Sequence, residues 1–397
     1  REDACEEGAL ALPGTGAVLV RAGKECMAVA YHQGHFPPQT LDWPRLLPLI
    51  GPANAAVARF EGVLHGVPNP NVLLSPLTAQ EAVLSSRIEG TQATLGEVLE
   101  FEAQGNLFDE STPKKADIRE VLNYRAALRE AARLLQDLPL SQRLLKDTHR
   151  VLMQGVRGRH KDPGEYRRIA NWIGPEGCSV EQARFVPCGA ETLASNMSAF
   201  ERYLHADVPD QLIQLAVAHA EFEAIHPFLD GNGRLGRLLV PLFLYEKKLL
   251  SSPNFYISAY LDEHRDEYYS RLLAVSRDGD WTGWCSFFLT ALIDQARTNQ
   301  RKALDILGLY RERKDWIATA TRSQYAVRAL DWIFARPIFS SSDFVDNVQI
   351  PRPTANRIIR VLRQEGLLKD LRPASGRRPA ILAFSQLLNI TEGRDAF

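Results

Sequence analysis

Residues 226–237 combine a titratable imidazole, a carboxylate, a glycine-rich turn and two arginines within one short stretch. The imidazole of His226 titrates near neutral pH and is suited to take a proton from an attacking hydroxyl group. Gly231 and Gly233 have no Cβ, so successive backbone N–H groups between them can turn toward one anion. The stretch therefore predicts a phosphate site with a base beside it.

Charged side chains complete this predicted site. Arg234 and Arg237 lie three residues apart, which places them on neighbouring positions of one helix face, where planar guanidinium groups bind phosphate oxygens in pairs. The carboxylate of Asp230 offers the hard oxygen ligand that Mg²⁺ prefers. Apolar residues recur at helical spacing before and after the stretch, so the pattern predicts helix, tight loop and helix, with the loop feeding a helix N-terminus that favours anions.

Each of these features also has an ordinary structural explanation. A His-Pro pair is often a helix terminus, Gly-Asn-Gly is often a turn, and paired arginines often form a solvated helix face. The order and context of the whole run are more specific than its parts. Residues 226–237 match, without a departure, the pattern His-x-Phe-x-[Asp/Glu]-Gly-Asn-Gly-Arg-x-x-Arg, and the chain therefore resembles the Fic family of protein adenylyltransferases.

The resemblance implies a role for each residue of the run. His226 would deprotonate a hydroxyl group of the target protein, Phe228 would anchor the loop in the core, and Asp230 would hold Mg²⁺ at the phosphates of ATP. The nucleotide would be bound by the anion cradle and the helix that follows it: Gly231, Asn232, Gly233, Arg234, Leu235, Gly236 and Arg237. The implied reaction is attack at the α-phosphate, transfer of AMP and release of pyrophosphate.

Other functions stay open from the sequence. Some members of the family that the run resembles transfer phosphocholine, phosphate or UMP, and some remove AMP from a modified protein. Gly233 favours AMP transfer, because the kinase-like relatives carry lysine near that position. A protein of a different class, a DNA-binding regulator whose core senses nucleotide, is the remaining alternative.

Three further segments gain a functional interpretation from the resemblance. Ser85 and Glu89 lie one helical turn apart before Gly90, and residues 85–90 match the family's inhibitory pattern, [Ser/Thr]-x-x-x-Glu-[Gly/Asn]; alone, the pair would be a solvent-facing helix end. The resemblance implies that this helix packs beside the loop, where the Glu89 carboxylate can pair with Arg237. Tyr269 follows Tyr268 in a stretch that lies near the adenosine in related proteins. Residues 171–174 and 183–187 flank Pro175 and Gly177, which predicts a β-hairpin, the flap that clamps the target segment in the family.

Composition limits the class of protein. The chain has 397 residues, of which 45% are hydrophobic and 24% charged, with a net charge of −1, so nucleic-acid or membrane binding would need a local patch. No apolar run is long enough to span a bilayer, and the acidic first residues lack the order of a signal peptide. The cysteines form no CxxC pair, which predicts reduced thiols and no zinc. These observations predict a cytoplasmic location without membrane contact.

The chain divides into four predicted regions of a mainly α-helical protein. Residues 1–35 are an unassigned tail, 36–110 an N-terminal helical region with the inhibitory helix, 111–300 a Fic-type helical bundle with the flap, and 301–397 a linker helix and a winged-helix-like domain. In the last region Thr354 is expected to cap a helix, and residues 352–378 form a basic patch suited either to nucleic acid or to protein docking. Expected partners are ATP, Mg²⁺ and a protein substrate. Self-modification and a homodimer stay open.

Overall fold

The computed structural model describes residues 28–104, 113–155, 161–175, 177–376 and 378–397. These residues are mainly α-helical, as the sequence predicts. Short strands contribute two small sheets. The helices of the first two thirds of the chain are α1 (Trp43–Gly66), α2 (Pro70–Leu73), α3 (Ser75–Ile88), α4 (Leu95–Gln104), α5 (Pro113–Leu134), α6 (Gln142–Leu152), α7 (Leu193–Leu204), α8 (Gln211–Ile225), α9 (Asn232–Glu246), α10 (Ser258–Glu263) and α11 (Arg265–Asp278).

Two helices form the centre of the bundle, and both are buried almost all round. α8 and α9 are apolar on nearly every face, which is the pattern of helices enclosed by others rather than of surface helices. α12 (Trp281–Thr321) packs along α1 and against α8. Trp284 on α12 is fully buried and donates its indole N–H to the Ala216 carbonyl of α8 at 2.7 Å. The loop between α8 and α9 is therefore held on a rigid base.

The helix that carries Ser85 ends where the sequence predicts. The N–H groups of Glu89 and Gly90 bond to the carbonyls of Ser86 and Arg87, and Gly90 has a φ of 99°, which favours glycine. The apolar periodicity continues to Leu99, but the structure divides this stretch into α3 and α4. Glu89 consequently stands at a helix end, where its side chain can reach a neighbouring helix.

The predicted flap hairpin is reduced to a single bridge. Ile173 pairs with Phe185 in antiparallel fashion, and a 3-10 turn (Val180–Gln182) lies between them. Pro175 and Pro187 have no N–H to extend the ladder on either side, which accounts for its shortness. The other edge of strand β2 (Phe185–Val186) pairs in parallel with β1 (Val29–Ala30), a partner that the sequence analysis did not expect.

The end of the segment that the sequence left unassigned lies in the core. The Tyr31 hydroxyl donates to Glu221 of α8 at 2.6 Å, and His32 Nε2 lies 2.9 Å from the other oxygen of that carboxylate. His32 Nδ1 lies 2.7 Å from Ser276 Oγ of α11. Residues 28–32 thus tie the flap strand to the bundle. Residues 1–27, including the rest of the unassigned tail, lie outside the described residues.

The C-terminal residues follow one long helix rather than a separate linker. α12 runs through the boundary expected near residue 300 and is followed by α13 (Ala326–Ala335), β3 (Ile338–Ser340), α14 (Ser341–Asn347), α15 (Arg352–Gln364), β4 (Lys369–Arg372), β5 (Ile381–Ala383) and α16 (Ser385–Glu392). The three strands form an antiparallel sheet in the order β3-β5-β4. Assignment of this unit to the winged-helix class stays a prediction.

Two local expectations about this unit need correction. Thr354 does not cap α15, because the helix already begins at Arg352, with Pro353 in its first turn, where a missing N–H costs nothing. Within the basic patch, Arg363 and Arg372 are ion-paired with Asp370 and Glu100, respectively. These pairs reduce the positive charge that a nucleic acid would meet.

The C-terminal unit shares a small hydrophobic core with the N-terminal helices. Ala79 of α3 and Leu95 and Leu99 of α4 pack with Ile338 and Ile381 of the C-terminal sheet. This cluster is distinct from the main core and couples the two regions. No helix among the described residues is long and apolar enough to cross a membrane.

Candidate active site

The predicted helix–loop–helix is present, and two residues of the loop adopt a left-handed conformation, His226 at its start and Gly231 at its end. α8 ends at Ile225, and His226 adopts a left-handed conformation with a φ of 51° while its N–H donates to the Phe222 carbonyl at 3.1 Å. Gly231 has a φ of 75° and precedes the first residue of α9, a backbone conformation that favours glycine. The first N–H groups of α9, which have no partner within the helix, begin directly after the loop and are available to bind an anion.

The Asn232 side chain closes the loop instead of pointing to a ligand. Its Oδ1 accepts the Phe228 N–H at 2.8 Å, and its Nδ2 donates to the Phe228 carbonyl at 2.8 Å. Both ends of the amide are therefore used within the loop. If Asn232 contributes to the anion cradle, it does so through its backbone N–H.

His149 of α6 supports the other side of the loop. Its ring stacks on Phe228 with centroids 3.8 Å apart and an angle of 12°. The Gly164 N–H donates to Nδ1 at 2.8 Å, which leaves the proton on Nε2, and Nε2 donates to the Asp230 carbonyl at 2.9 Å. Burial lowers the pKa of His149 to about 4, so the ring is neutral near pH 7 and keeps this tautomer.

Arg167 joins the catalytic loop to the end of the flap. This buried side chain donates to the carbonyls of Ile225 (3.2 Å) and His226 (2.9 Å), and also to that of Cys188, which follows the flap strand, at 2.5 Å. Its own N–H donates to the Pro227 carbonyl at 2.9 Å. The carbonyls that precede and follow the strained His226 backbone are thus fixed by one guanidinium group and its main chain.

The imidazole of His226 is held in a form that can accept a proton. Nδ1 lies 3.4 Å from the backbone carbonyl of Glu223, which can only accept, so the proton resides on Nδ1 and the lone pair on Nε2 is free. Burial lowers the pKa of His226 to about 4. The ring is consequently neutral near pH 7, as a general base must be before it acts.

Arg237 is bound to the segment that the sequence marked as inhibitory. Its Nε donates to Ser85 Oγ at 2.8 Å, and Nη2 donates to Glu89 Oε1 at 2.7 Å. Burial acts to raise the pKa of Glu89, but the nearby Arg237 lowers it by more. The pKa therefore lies below the ordinary value for a glutamate. A Cβ built on Gly233 would overlap Glu89 Oε1, so the carboxylate lies directly over the start of α9. Ser85, Glu89 and Arg237 therefore meet, and the inhibitory role of Glu89 stays a prediction.

Arg234 faces a different neighbour from Arg237. Its Nη1 donates to Glu120 of α5 at 3.2 Å, and its Nη2 lies 3.5 Å from Asp230 Oδ1. The expectation that the two arginines form one pair on a helix face is therefore refined: each guanidinium approaches the loop from its own side. Both side chains are buried, which is costly for a charge unless it is paired.

Asp230 has the chemistry to hold a divalent cation. Its Oδ1 accepts the Gly231 N–H at 2.7 Å, its Oδ2 lies 3.1 Å from Lys161 Nζ, and about a third of the side chain is exposed. No cluster of three or more His, Cys, Asp or Glu side chains suited to a metal occurs among the described residues. Mg²⁺ is commonly held by one or two carboxylates together with substrate phosphates and water, so one exposed carboxylate fits it.

A cavity of about 350 Å³ opens beside the loop, between the flap, α8 and α11. Tyr269 lines it, with the Arg265 guanidinium 5.6 Å from its ring centroid, as do Ile173 and Phe185 of the flap. The nucleotide contact of Tyr269 stays a prediction. Leu235 does not line the cavity, because its side chain is fully buried in the core.

His149, Arg167 and Glu223 belong to no motif that the sequence shows, although Glu223 lines the cavity from α8. Gly164 and Arg167 lie in a turn-rich segment. The only hint there is a glycine, Gly164, which adopts a φ of 84°, with an arginine three residues later. For His149, a single histidine in an amphipathic helix carries no pattern of its own.

Comparisons with known proteins agree with this geometry. The "Fic/DOC family N-terminal" model matches residues 47–133, and the "Fic/DOC family" model matches residues 139–244. A Drosophila grimshawi protein named "Protein adenylyltransferase Fic" is 29% identical over 269 residues, which cover 61% of this chain and 46% of that protein. A Drosophila persimilis protein of the same name is 32% identical over 169 residues, covering 40% of this chain and 29% of that protein.

The fold also has a similar solved structure. The crystal structure of a Fic family protein from Desulfovibrio desulfuricans G20 superposes with a TM-score of 0.56 and 22% sequence identity, over 88% of this chain and 98% of that chain. This similarity concerns the fold alone. The chain spans less than half the length of both Drosophila relatives.

Proposed function

Because residues 47–133 and 139–244 of this chain belong to the Fic/DOC family, we propose that the protein is an adenylyltransferase that transfers AMP from ATP to a hydroxyl side chain of a protein. The observation that carries the proposal is the pairing of a neutral His226, whose Nε2 is free, with an adjoining helix N-terminus and two buried guanidinium groups. A base and an anion site in contact are what attack on a phosphate requires.

The proposed reaction begins with the acceptor hydroxyl. His226 Nε2 takes its proton as the oxygen forms a bond to the α-phosphorus of ATP, and the bond from that phosphorus to the bridging oxygen breaks, so pyrophosphate leaves with the electron pair. Backbone N–H groups at the start of α9 and the Arg234 guanidinium stabilise the negative charge of the phosphates. Mg²⁺ held by Asp230 would supply further neutralisation of phosphate charge. The cavity lined by Tyr269 would receive the nucleoside.

The contact between Glu89 and Arg237 supports autoinhibition as part of this proposal. Arg237 is the guanidinium that would otherwise bind the terminal phosphate, and it is occupied by a carboxylate whose pKa lies below its ordinary value. Glu89 also adds negative charge directly over Gly233, where phosphate would approach. ATP would then bind with its phosphates displaced, and a misplacement of about 1 Å can cost roughly 10²-fold in rate.

Incubation with Mg²⁺ and ATP labelled at the α-phosphate, followed by mass spectrometry, tests the proposed reaction. AMP should appear on the protein itself or on proteins of a lysate, and the His226→Ala variant should lose this label while it still binds ATP within a few-fold. ATP labelled at the γ-phosphate is the control, because AMP transfer leaves that label in pyrophosphate. Label from the γ-phosphate on protein would identify a kinase instead, and equal labelling by the His226→Ala variant would remove the base from the mechanism.

A further inference from the structure

Glu223 presents a carboxyl group to the cavity beside the catalytic loop. It lies on α8, and its side chain is 11% exposed. Its Oε1 atom is buried and has no hydrogen-bond partner among the described residues. His219 Nε2 lies 4.0 Å from it, beyond hydrogen-bond distance, and is 2.9 Å from the Tyr268 hydroxyl. Native proteins rarely leave a buried acceptor unpaired, so this oxygen needs a partner that the chain does not supply.

Glu223 Oε1 itself is buried, so a ligand in the cavity meets the carboxyl group only at the small part of the side chain that is exposed. Ala220 and Ala224 flank it on α8 and line the same cavity, so a small molecule can reach the carboxyl past short side chains. Tyr269 lines the cavity from α11. The cavity therefore combines apolar and aromatic side chains with a few polar ones, the Glu223 carboxyl and the side chains of Arg184 and Arg265, an arrangement common for sites that orient a small ligand.

The position of Gly236 connects the carboxyl to the phosphate side of the site. A Cβ built on Gly236 would overlap Glu223 Oε1, so the carboxyl packs directly on the first turns of α9. It thus lies between the cavity and the helix whose N-terminus faces the phosphates. A nucleotide with its phosphates at α9 and its nucleoside in the cavity would pass beside this carboxyl group.

Charge makes a direct phosphate contact unfavourable for Glu223. Burial raises its pKa, Arg237 acts to lower it and Glu89 to raise it, and the resulting pKa is about 7. A group in this state accepts hydrogen bonds from neutral donors but repels phosphate when ionised. The donors that a nucleotide offers away from its phosphates are the exocyclic amine of the base and the hydroxyls of the ribose.

We propose that Glu223 accepts a hydrogen bond from a donor group of the bound nucleoside and thereby selects which nucleotide the enzyme uses. This inference rests on the proposed function, because it requires a nucleotide in the cavity. Glu223 lies three residues before His226, but that position in the sequence does not indicate a role in specificity. This role also gives a reason for glycine at position 236, since any side chain there would displace the carboxyl.

Calorimetric titration with ATP and three analogues tests the inference. Inosine triphosphate replaces the exocyclic amine by a carbonyl, and 2′-deoxy- and 3′-deoxy-ATP each lack one hydroxyl, so the analogue that binds weakly identifies the donor. A site built around a buried acceptor discriminates against a ligand that leaves it unpaired. We expect one analogue to bind the parent protein about tenfold or more weakly than ATP.

The variants decide whether Glu223 causes that discrimination. In Glu223→Leu the ratio between ATP and the weak analogue should fall to near one, whereas Glu223→Gln, which keeps an acceptor oxygen, should retain part of it. Glu81→Gln is the matched control: Glu81 is a buried carboxylate that does not line the cavity and already accepts from Ser258, so its loss should leave the ratio unchanged. Circular dichroism establishes that each variant is folded.

Two outcomes would overturn the inference: equal binding of all four nucleotides to the parent, or discrimination that survives in Glu223→Leu. Both are separate from failure of the proposed function. If the protein discriminates among nucleotides through Glu223 but transfers no AMP, the reaction is wrong and the specificity assignment stands. If AMP transfer proceeds without discrimination, the reverse holds.

Discussion

His149→Phe is the change that best separates loop support from ring packing. Phenylalanine keeps an aromatic ring to stack on Phe228, where the parent rings lie 3.8 Å apart. It removes both ring nitrogens, and with them the bond from the Gly164 N–H and the bond to the Asp230 carbonyl. Any effect beyond repacking therefore comes from these two hydrogen bonds.

The structure sets the expected magnitude. The Gly164 N–H is in a buried residue and would be left without a partner, which costs about 1–3 kcal/mol, whereas water can partly replace the bond to the half-buried Asp230 carbonyl. We expect a loss of about 2–4 kcal/mol in the free energy of unfolding. The loop between Phe228 and Gly231 would also lose its support, and a shift of about 1 Å there is expected to lower kcat roughly 10²-fold.

Urea unfolding and AMP transfer at saturating ATP measure the two effects. His65→Phe is a suitable control, since that histidine lies on α1 and is largely exposed. Lower kcat with KM for ATP changed only a few-fold would support a positioning role for His149. Parental kcat in a less stable His149→Phe protein would refute the positioning argument, and parental stability would refute the hydrogen-bond argument as well.

Glu89→Gly should raise AMP transfer markedly in the labelling assay, because Arg237 is then free to bind phosphate. Adding Arg237→Ala should return the activity to a low level. If Glu89→Gly shows no gain at any protein concentration, the protein is not autoinhibited by Glu89. Asp230→Ala should abolish the dependence of ATP binding on Mg²⁺, which calorimetry with and without the cation would show; unchanged dependence would place the cation elsewhere. Burial lowers the pKa of His226 to about 4, and Glu89, which acts to raise that pKa, is missing from Glu89→Gly. The kcat/KM of this variant, in conditions where the protein stays folded, should therefore be nearly constant from pH 7 to about pH 5 and decline only at lower pH. A decline centred at the ordinary histidine value of 6.5 would contradict that assignment.

Local parts of the site could be predicted from the sequence because their residues are adjacent in it. The run from His226 to Arg237 determines its own loop, through glycine at the turn and apolar periodicity on both sides. The meeting of Glu89 with Arg237, 148 residues apart, came only from resemblance to a family. No property of either residue indicates the other, since ion pairs between distant positions depend on how helices pack.

The residues that hold the loop could not be predicted for the same reason. His149 reaches the Asp230 carbonyl across 81 positions, and Arg167 reaches the His226 carbonyl across 59. Each bonds to a backbone oxygen, which every residue type possesses, so the identity of the bonded residue cannot be inferred from its type. The pairing of Val29 and Ala30 with the flap strand could not be predicted either, because two residues are too few to show an alternating pattern.

The division of the chain into separable units shows a related limit of sequence periodicity. Apolar positions of α4 such as Leu95 and Leu99 read as the buried face of a helix, but periodicity does not say which element covers that face. In the structure Ile338 and Ile381 of the C-terminal sheet cover it, and Ala79 of α3 completes the cluster. Glu89 stands at the end of that same α3. Removal of the C-terminal unit would therefore expose the apolar side chains of α3 and α4 that it covers, and α3 could shift. A change in the activity of a truncated protein would then reflect a displaced Glu89 as well as the loss of the unit itself.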